Sequence, residues 1–177
     1  MNVARYSRQS VAIELRQWFV VEQLAKRVAA MPEFLGVLLL GSFAAGTADP
    51  LSDVDLLLIV REGSFEAAWA RRRDLYTEEP IFAWDVLREG MAEVGAHKWI
   101  TREVVLVECL IATPSSGVRL AEPFVVLVGD PTLPKMLQHR APIPRSELAT
   151  DDRTPGSEIE RRYDAFKLVV RSQLGRG

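Results

Sequence analysis

The chain has 177 residues, 48% of them hydrophobic and 26% charged, an ordinary globular composition that excludes a disordered chain. A formal net charge of −2 leaves no broad basic field, so a long nucleic acid is disfavoured as a partner. The single cysteine, Cys109, excludes an internal disulfide and any multi-cysteine zinc or iron–sulfur centre.

The opening MNVARYSRQS carries no apolar signal-type segment, and no run reaches bilayer-spanning length. The expectation is a cytoplasmic protein without membrane contact. From about Ser10 to Ala30, Val11, Leu15, Trp18, Val21, Leu24, Ala25 and Val28 recur near helical spacing and predict an amphipathic helix. Pro32 ends it. FLGVLLLG then predicts a short buried strand closed by Gly41, and a second strand is expected from about Asp53 to Arg61. Gly63 and Ser64 interrupt the chain, with Ser64 placed to cap a helix running to about Tyr76. Arg71, Arg72 and Arg73 on that helix are expected to form a solvated face.

IFAWDVL, TREVVLVECLIATP and PFVVLVGDP read as the third, fourth and fifth strands. Cys109, inside the fourth, is expected to be a small buried hydrophobe. RAPIPRSELATDDRTPG, with three prolines among polar residues, reads as an exposed connector. A last helix follows, with Ile159, Tyr163, Phe166 and Val170 along one face. Ser157 and Glu160 offer it a capping box, and Thr154 before Pro155 is a rival start. This order predicts an α+β fold, a mixed sheet of about five strands with flanking helices and a C-terminal helix. The expected organisation is a domain over 1–138, a linker over 139–156, and a helix over 157–177 that packs on the core or on a partner.

The chemistry concentrates in LLLGSFAAGTADPLSDVDLLLIV, Leu38 to Val60. Gly41 and Gly46 have the spacing of a Walker phosphate loop, but Thr47 stands where that loop requires lysine. What remains is a strand entering a Gly41–Ser42 turn, whose small side chains let backbone N–H groups approach a ligand. Asp53 and Asp55 lie two residues apart, so in a strand they share one face. Two such carboxylates repel unless a cation sits between them, and Mg²⁺ favours hard oxygen ligands of this kind. The structural alternative is a solvated strand start with Ser52 and Asp53 in a turn. Ten residues separate Ser42 from Asp53, enough for one helical turn and a bend that returns the chain as a neighbouring strand.

Together, the apolar strand, Gly-Ser, a spacer with a further Gly and Asp-x-Asp in an apolar strand resemble the DNA polymerase beta-like nucleotidyltransferase superfamily. The small size is similar to its antibiotic-modifying and minimal members. The resemblance implies transfer of a nucleoside monophosphate from an NTP to a hydroxyl of a small molecule or a protein. It further implies two Mg²⁺ ions held by Asp53 and Asp55, with Gly41, Ser42 and Ser52 at the nucleotide. A third carboxylate usually stands on a later strand, and Glu108 is the best candidate, as metal ligand or general base. A lone Glu in VVLVECLIA is costly to bury unpaired, and an edge strand facing solvent is its other explanation. Glu103 and Asp85 are weaker rivals for that place.

His97 and His139 are expected at the surface or in packing. Trp69, Trp84 and Trp99 are expected in the core, with stacking on a base or aromatic acceptor as the alternative. A second functional expectation is a non-catalytic or antitoxin-like module of the same fold acting through a protein partner. Only one convincing helix follows the sheet, so a homodimer or protein partner would have to supply the wall that holds an acceptor.

Overall fold

The computed structural model describes residues 16–87, 92–140, 158 and 161–167. The expectations for residues 10–15, for the connector over 141–156, for the Ser157–Glu160 capping box and its rival start at Thr154, and for Ile159 and Val170 of the last helix lie outside these. The chain divides into two compact units, 1–142 and 143–177. Among the described residues, no helix is long and apolar enough to cross a membrane.

In the first unit, helix α1 (Arg16–Ala29) buries Val20, Val21, Leu24 and Val28, the stripe its 3.6-residue period places on one side. Strand β1 (Phe34–Leu39) leads into a single helical turn, α2 (Gly41–Ala44), and the chain returns as β2 (Val54–Val60). Helix α3 (Phe65–Ala70) and a 3-10 turn (Arg72–Leu75) precede β3 (Phe82–Leu87), β4 (Val94–Ile100) and β5 (Leu106–Ala112). Strands β6 (Arg119–Ala121), β7 (Val125–Val128) and β8 (Gln138–Arg140) follow. The main sheet runs β3-β4-β5-β2-β1-β7, and β6 pairs β8 in a small second sheet. Within the main sheet β2 and β5 are parallel, and the other pairs are antiparallel. The fold is α+β, with a mixed sheet and helices against it.

Both faces of this sheet are covered, which is why its central strands read as unbroken apolar runs. One core takes Val54, Leu56 and Leu58 of β2 with Val107, Cys109 and Ile111 of β5, Trp99 of β4, and Leu24 and Val28 of α1. The other takes Leu57 and Ile59 with Leu38, Val94, Ala112, Leu120 and Leu133. Cys109 is fully buried, as expected, and burial pushes its thiol well above its ordinary value, with the Glu108 and Asp55 carboxylates adding to the shift.

Several local expectations change. VGAHKWI, not foreseen as a strand, is β4, hydrogen-bonded on both sides between β3 and β5. Its glycine, histidine and lysine hide the strand pattern, and pairing with two neighbours overrides that weak propensity. The fourth expected strand starts later than TREV, because Thr101–Val105 forms a tight turn. There Thr101 N–H donates to the Val105 carbonyl at 3.0 Å, and Val104 has φ of 59°. The helix from Ser64 stops at Ala70 and tightens into the 3-10 turn, and Ser64 stands at its start without a side-chain cap bond. The arginine run there is not a uniform solvated face. Arg71 Nη1 donates to Glu33 at 2.8 Å, and Arg72 is engaged by β3.

In the second unit, residues 161–167 are helical. Glu158 pairs with Arg161 at 2.8 Å and with Arg162 at 2.7 Å, the i,i+3 and i,i+4 pattern of a helix surface.

Candidate active site

The β1–β2 hairpin builds one side of the site. Strand β1 ends at Leu39, and Leu40 N–H donates to the Asp55 carbonyl at 2.9 Å, so the chain entering α2 is tied to β2 beside Asp55. Gly41 has φ of 62°, a left-handed conformation that glycine adopts without a Cβ penalty. A Cβ there would overlap Oδ2 of Asp55. The missing side chain is therefore space for the carboxylate as well as backbone freedom. Ser42 follows in α2, half-buried, and its carbonyl accepts from Thr47 N–H at 2.9 Å, folding the small-residue loop back on itself.

The other approach to the carboxylates is the turn Asp49–Ser52. Asp49 Oδ1 accepts from Leu51 N–H at 2.8 Å, and the Ser52 hydroxyl accepts from Asp49 N–H at 2.9 Å. The hydroxyl of Ser52 is thus engaged within its own turn. Gln17 of α1, only 1% exposed, donates its amide to the carbonyls of Asp49, Pro50 and Ser52 at 3.3, 3.0 and 3.1 Å. One helix side chain thereby holds the segment that delivers Asp53. Sequence reading passed over Gln17, although a polar residue three, four and seven positions before Val20, Val21 and Leu24 sits on the buried stripe and signals a buried partner.

Asp53 precedes β2 and Asp55 lies within it, both half-buried, while Val54 between them is fully buried on the opposite face. Parallel pairing of β2 with β5 sets Glu108 directly across from Asp55. Residues in register on neighbouring strands share a face, so the two carboxylates are side by side. The next strand continues the row. Lys98 of β4 is in register with Glu108, and its Nζ lies 2.9 Å from Glu108 Oε2. Trp84 of β3 is in register with Lys98, buried, and its indole N–H has no hydrogen-bond partner. One lateral row across four strands therefore reads Asp55, Glu108, Lys98, Trp84. Sequence reading missed Lys98 because β4 itself was not recognised.

The two rivals of Glu108 stand elsewhere. Glu103 is exposed in the turn before β5, where its carbonyl accepts from Arg16 at 3.0 Å. Asp85 is in register with His97, one residue out of phase with the row, and so faces the other side of the sheet. There Arg72 grips it with two bonds of 2.9 and 2.8 Å, and His97 Nδ1 lies 2.6 Å from Oδ1. Burial alone would raise the Asp85 carboxyl; Arg72 and His97 outweigh it and hold the group below its ordinary value. His97 is 2% exposed, stacked on Tyr76 and tilted against Trp99 in a cluster of three mutually touching rings, a packing residue as expected. Burial lowers its pKa despite Asp85, because Nε2 is enclosed with no hydrogen-bond partner and a proton there would find no acceptor. Trp99 is core. Trp69 stacks on Phe65 and carries the Arg72 guanidinium 4.8 Å above its ring.

The site thus gathers Gly41, Ser42, Asp53, Asp55 and Glu108 at one end of β2 and leaves Glu103 and Asp85 outside. Among the described residues, no three His, Cys, Asp or Glu side chains form a ready-made metal cage. The nucleotidyltransferase domain family matches residues 21–112, from α1 through the end of β5, a span just over half of the chain that holds all five of these residues and Lys98. No curated protein matches the chain. The match agrees with the polymerase beta-like pattern of the Gly-Ser turn and Asp-x-Asp strand, and the chain belongs to the nucleotidyltransferase domain family.

Proposed function

We propose that the protein transfers a nucleoside monophosphate from an NTP to a hydroxyl of a small molecule or a protein, with Asp53, Asp55 and Glu108 at the reacting centre. The observation that carries this is the register of Asp55 with Glu108 on adjacent parallel strands, inside the span that matches the family. Asp55 and Glu108 share a face on adjacent strands, and neighbouring carboxylates repel one another, so that face favours cationic company.

The donors fit a divalent cation. Asp53 and Asp55 offer hard oxygens, and Mg²⁺ is commonly held by one or two carboxylates together with substrate phosphates and water, without a protein cage. Asp53 and Asp55 would hold two such ions, and Glu108 would share one or act as base. When bound, they supply charge neutralisation for the triphosphate and a lowered pKa for the acceptor hydroxyl. The chain's own groups do the rest. Backbone N–H groups around Gly41 and the Ser42 hydroxyl bind the β- and γ-phosphates, and Ser52 shapes the turn that presents Asp53. Glu108, as base, takes the hydroxyl proton as the acceptor oxygen bonds to the α-phosphorus and the bond from that phosphorus to the β-phosphate oxygen breaks, releasing pyrophosphate.

The test is pyrophosphate release from labelled NTPs with Mg²⁺ and a panel of aminoglycosides, lincosamides and candidate proteins. Release that requires an acceptor and disappears in Asp53→Ala and Asp55→Ala supports the transferase. A second reading, a nucleotide-binding module acting through a protein partner, is favoured by one observation: Glu108 is already engaged by Lys98. Tight nucleotide binding with no turnover on any acceptor is its signature.

A further inference from the structure

Lys98 is the charged member of the lateral row that the transferase reading leaves without a task. Its Nζ stands 2.9 Å from Glu108 Oε2, and its side chain is 15% exposed against 37% for Glu108. The ammonium is the more enclosed partner, so the pair is fastened from the β4 side. Asp55 lies on the other side of Glu108, one strand further on. Glu108 is therefore flanked by a like charge and by a tethered cation, and the cation decides where its carboxylate rests. His97, next to Lys98 in the chain, is locked to Asp85 on the opposite face, and Asp85 to Arg72. This anchors β4 and fixes the backbone from which Lys98 extends.

We propose that Lys98 is a resident counter-cation for Glu108 and a positioning residue for it, reserving Glu108 for the proton of the acceptor hydroxyl and leaving protein ligation of the divalent cation to Asp53 and Asp55. This rests on the transferase reading of the site and assigns its carboxylates separate roles. An ammonium and a divalent ion sharing one carboxylate would stand within a few ångströms of each other. Their repulsion weakens metal binding there by more than about tenfold. Asp55 lies on β2 and Asp53 just before it, two strands from Lys98 on β4, whereas Glu108 is on the adjacent strand.

The experiment is titration of the full chain with Mn²⁺, followed by the loss of free Mn²⁺ signal in electron paramagnetic resonance, with and without a non-hydrolysable ATP analogue. Asp53→Asn and Asp55→Asn are expected to weaken binding at least about tenfold, and Glu108→Gln to change it by less than about threefold. Lys98→Met is expected to tighten binding by about tenfold or add a second site, and Glu108→Gln placed on top of it should cancel that gain. Lys98→Arg, which keeps the charge, should behave as wild type, an outcome that general loosening of β4 would not produce. Should Lys98→Met fail to fold, Lys98→Gln takes its place.

The proposal is overturned if Lys98→Met leaves both affinity and stoichiometry unchanged, or if Glu108→Gln alone weakens Mn²⁺ binding more than about threefold. Unchanged binding in Asp53→Asn and Asp55→Asn is a different result. It removes the transferase reading itself.

Discussion

Gly41 lies against the carboxylate of Asp55, so closely that a Cβ at position 41 would overlap Oδ2. The relationship joins the two halves of the motif, because the residue that opens the phosphate-side turn is also the one that makes room for the proposed metal ligand. Gly41→Ala meets two costs, the left-handed backbone and the overlap. The expected result is a stability loss of about 1–2 kcal/mol from the backbone alone, read by urea denaturation. Displacement of Asp55 should lower NTP-dependent turnover by at least about tenfold. Turnover equal to wild type would show that the close approach has no functional weight.

Asp53→Asn and Asp55→Asn keep the shape of each side chain and remove its charge. Each is expected to reduce NTP-dependent pyrophosphate release by at least about a hundredfold. Melting temperature should stay within about 4 °C of wild type, since neither substitution disturbs the apolar packing of β2. A large loss of stability in either variant would point to a structural task for that carboxylate.

Gln17→Leu tests the clamp on the turn before Asp53. The carbonyls of Asp49, Pro50 and Ser52 lose their shared donor. Stability should fall by about 2–3 kcal/mol, the cost of leaving enclosed acceptors unpaired. Turnover measured well below the melting transition should fall as well, because the turn also sets the direction of Asp53. A loss of stability with full turnover would confine Gln17 to the fold.

Stability should also depend on pH through the pair on the far face of the sheet. His97 is held below its ordinary value of 6.5, so the unfolded chain takes up a proton there before the folded one does. Stability is therefore lost as pH falls through the unfolded value toward the folded one. Asp85 is held below its ordinary value of 3.8, and its contribution is lost lower still, as pH falls through its folded value. Arg72 and Arg73 are the other ionisable groups acting on the pair. Urea denaturation between about pH 5 and pH 7 should show wild type weakening on the acid side. His97→Phe should flatten that slope, and a slope unchanged in His97→Phe would assign the acid sensitivity to other groups.

Leu38 to Val60 was the most legible part of the chain. Two apolar runs around a Gly-Ser turn pointed to a buried hairpin, and the period of two put Asp53 and Asp55 on one face whatever lay around them. Cys109 likewise reads as core from its neighbours. The stop of α3 was not legible, nor was the later start of β5. The arginines after Ala70 turn toward Glu33 and Asp85, and Thr101–Val105 closes a turn, for reasons that lie outside their own segments.

By itself the sequence determined the class of fold and the local geometry of the carboxylate pair, because both follow from periodicity and turn chemistry within short windows. Only the tertiary structure decided which carboxylate joins them. Glu108 and Asp85 look alike as single acids in apolar strands. Register between distant strands sends one to the face of Asp55 and the other to Arg72 and His97. A shift of one residue in either pairing would exchange those faces, and no local pattern encodes it. The same pairing brings Lys98 onto Glu108, through a strand whose own sequence barely announces itself.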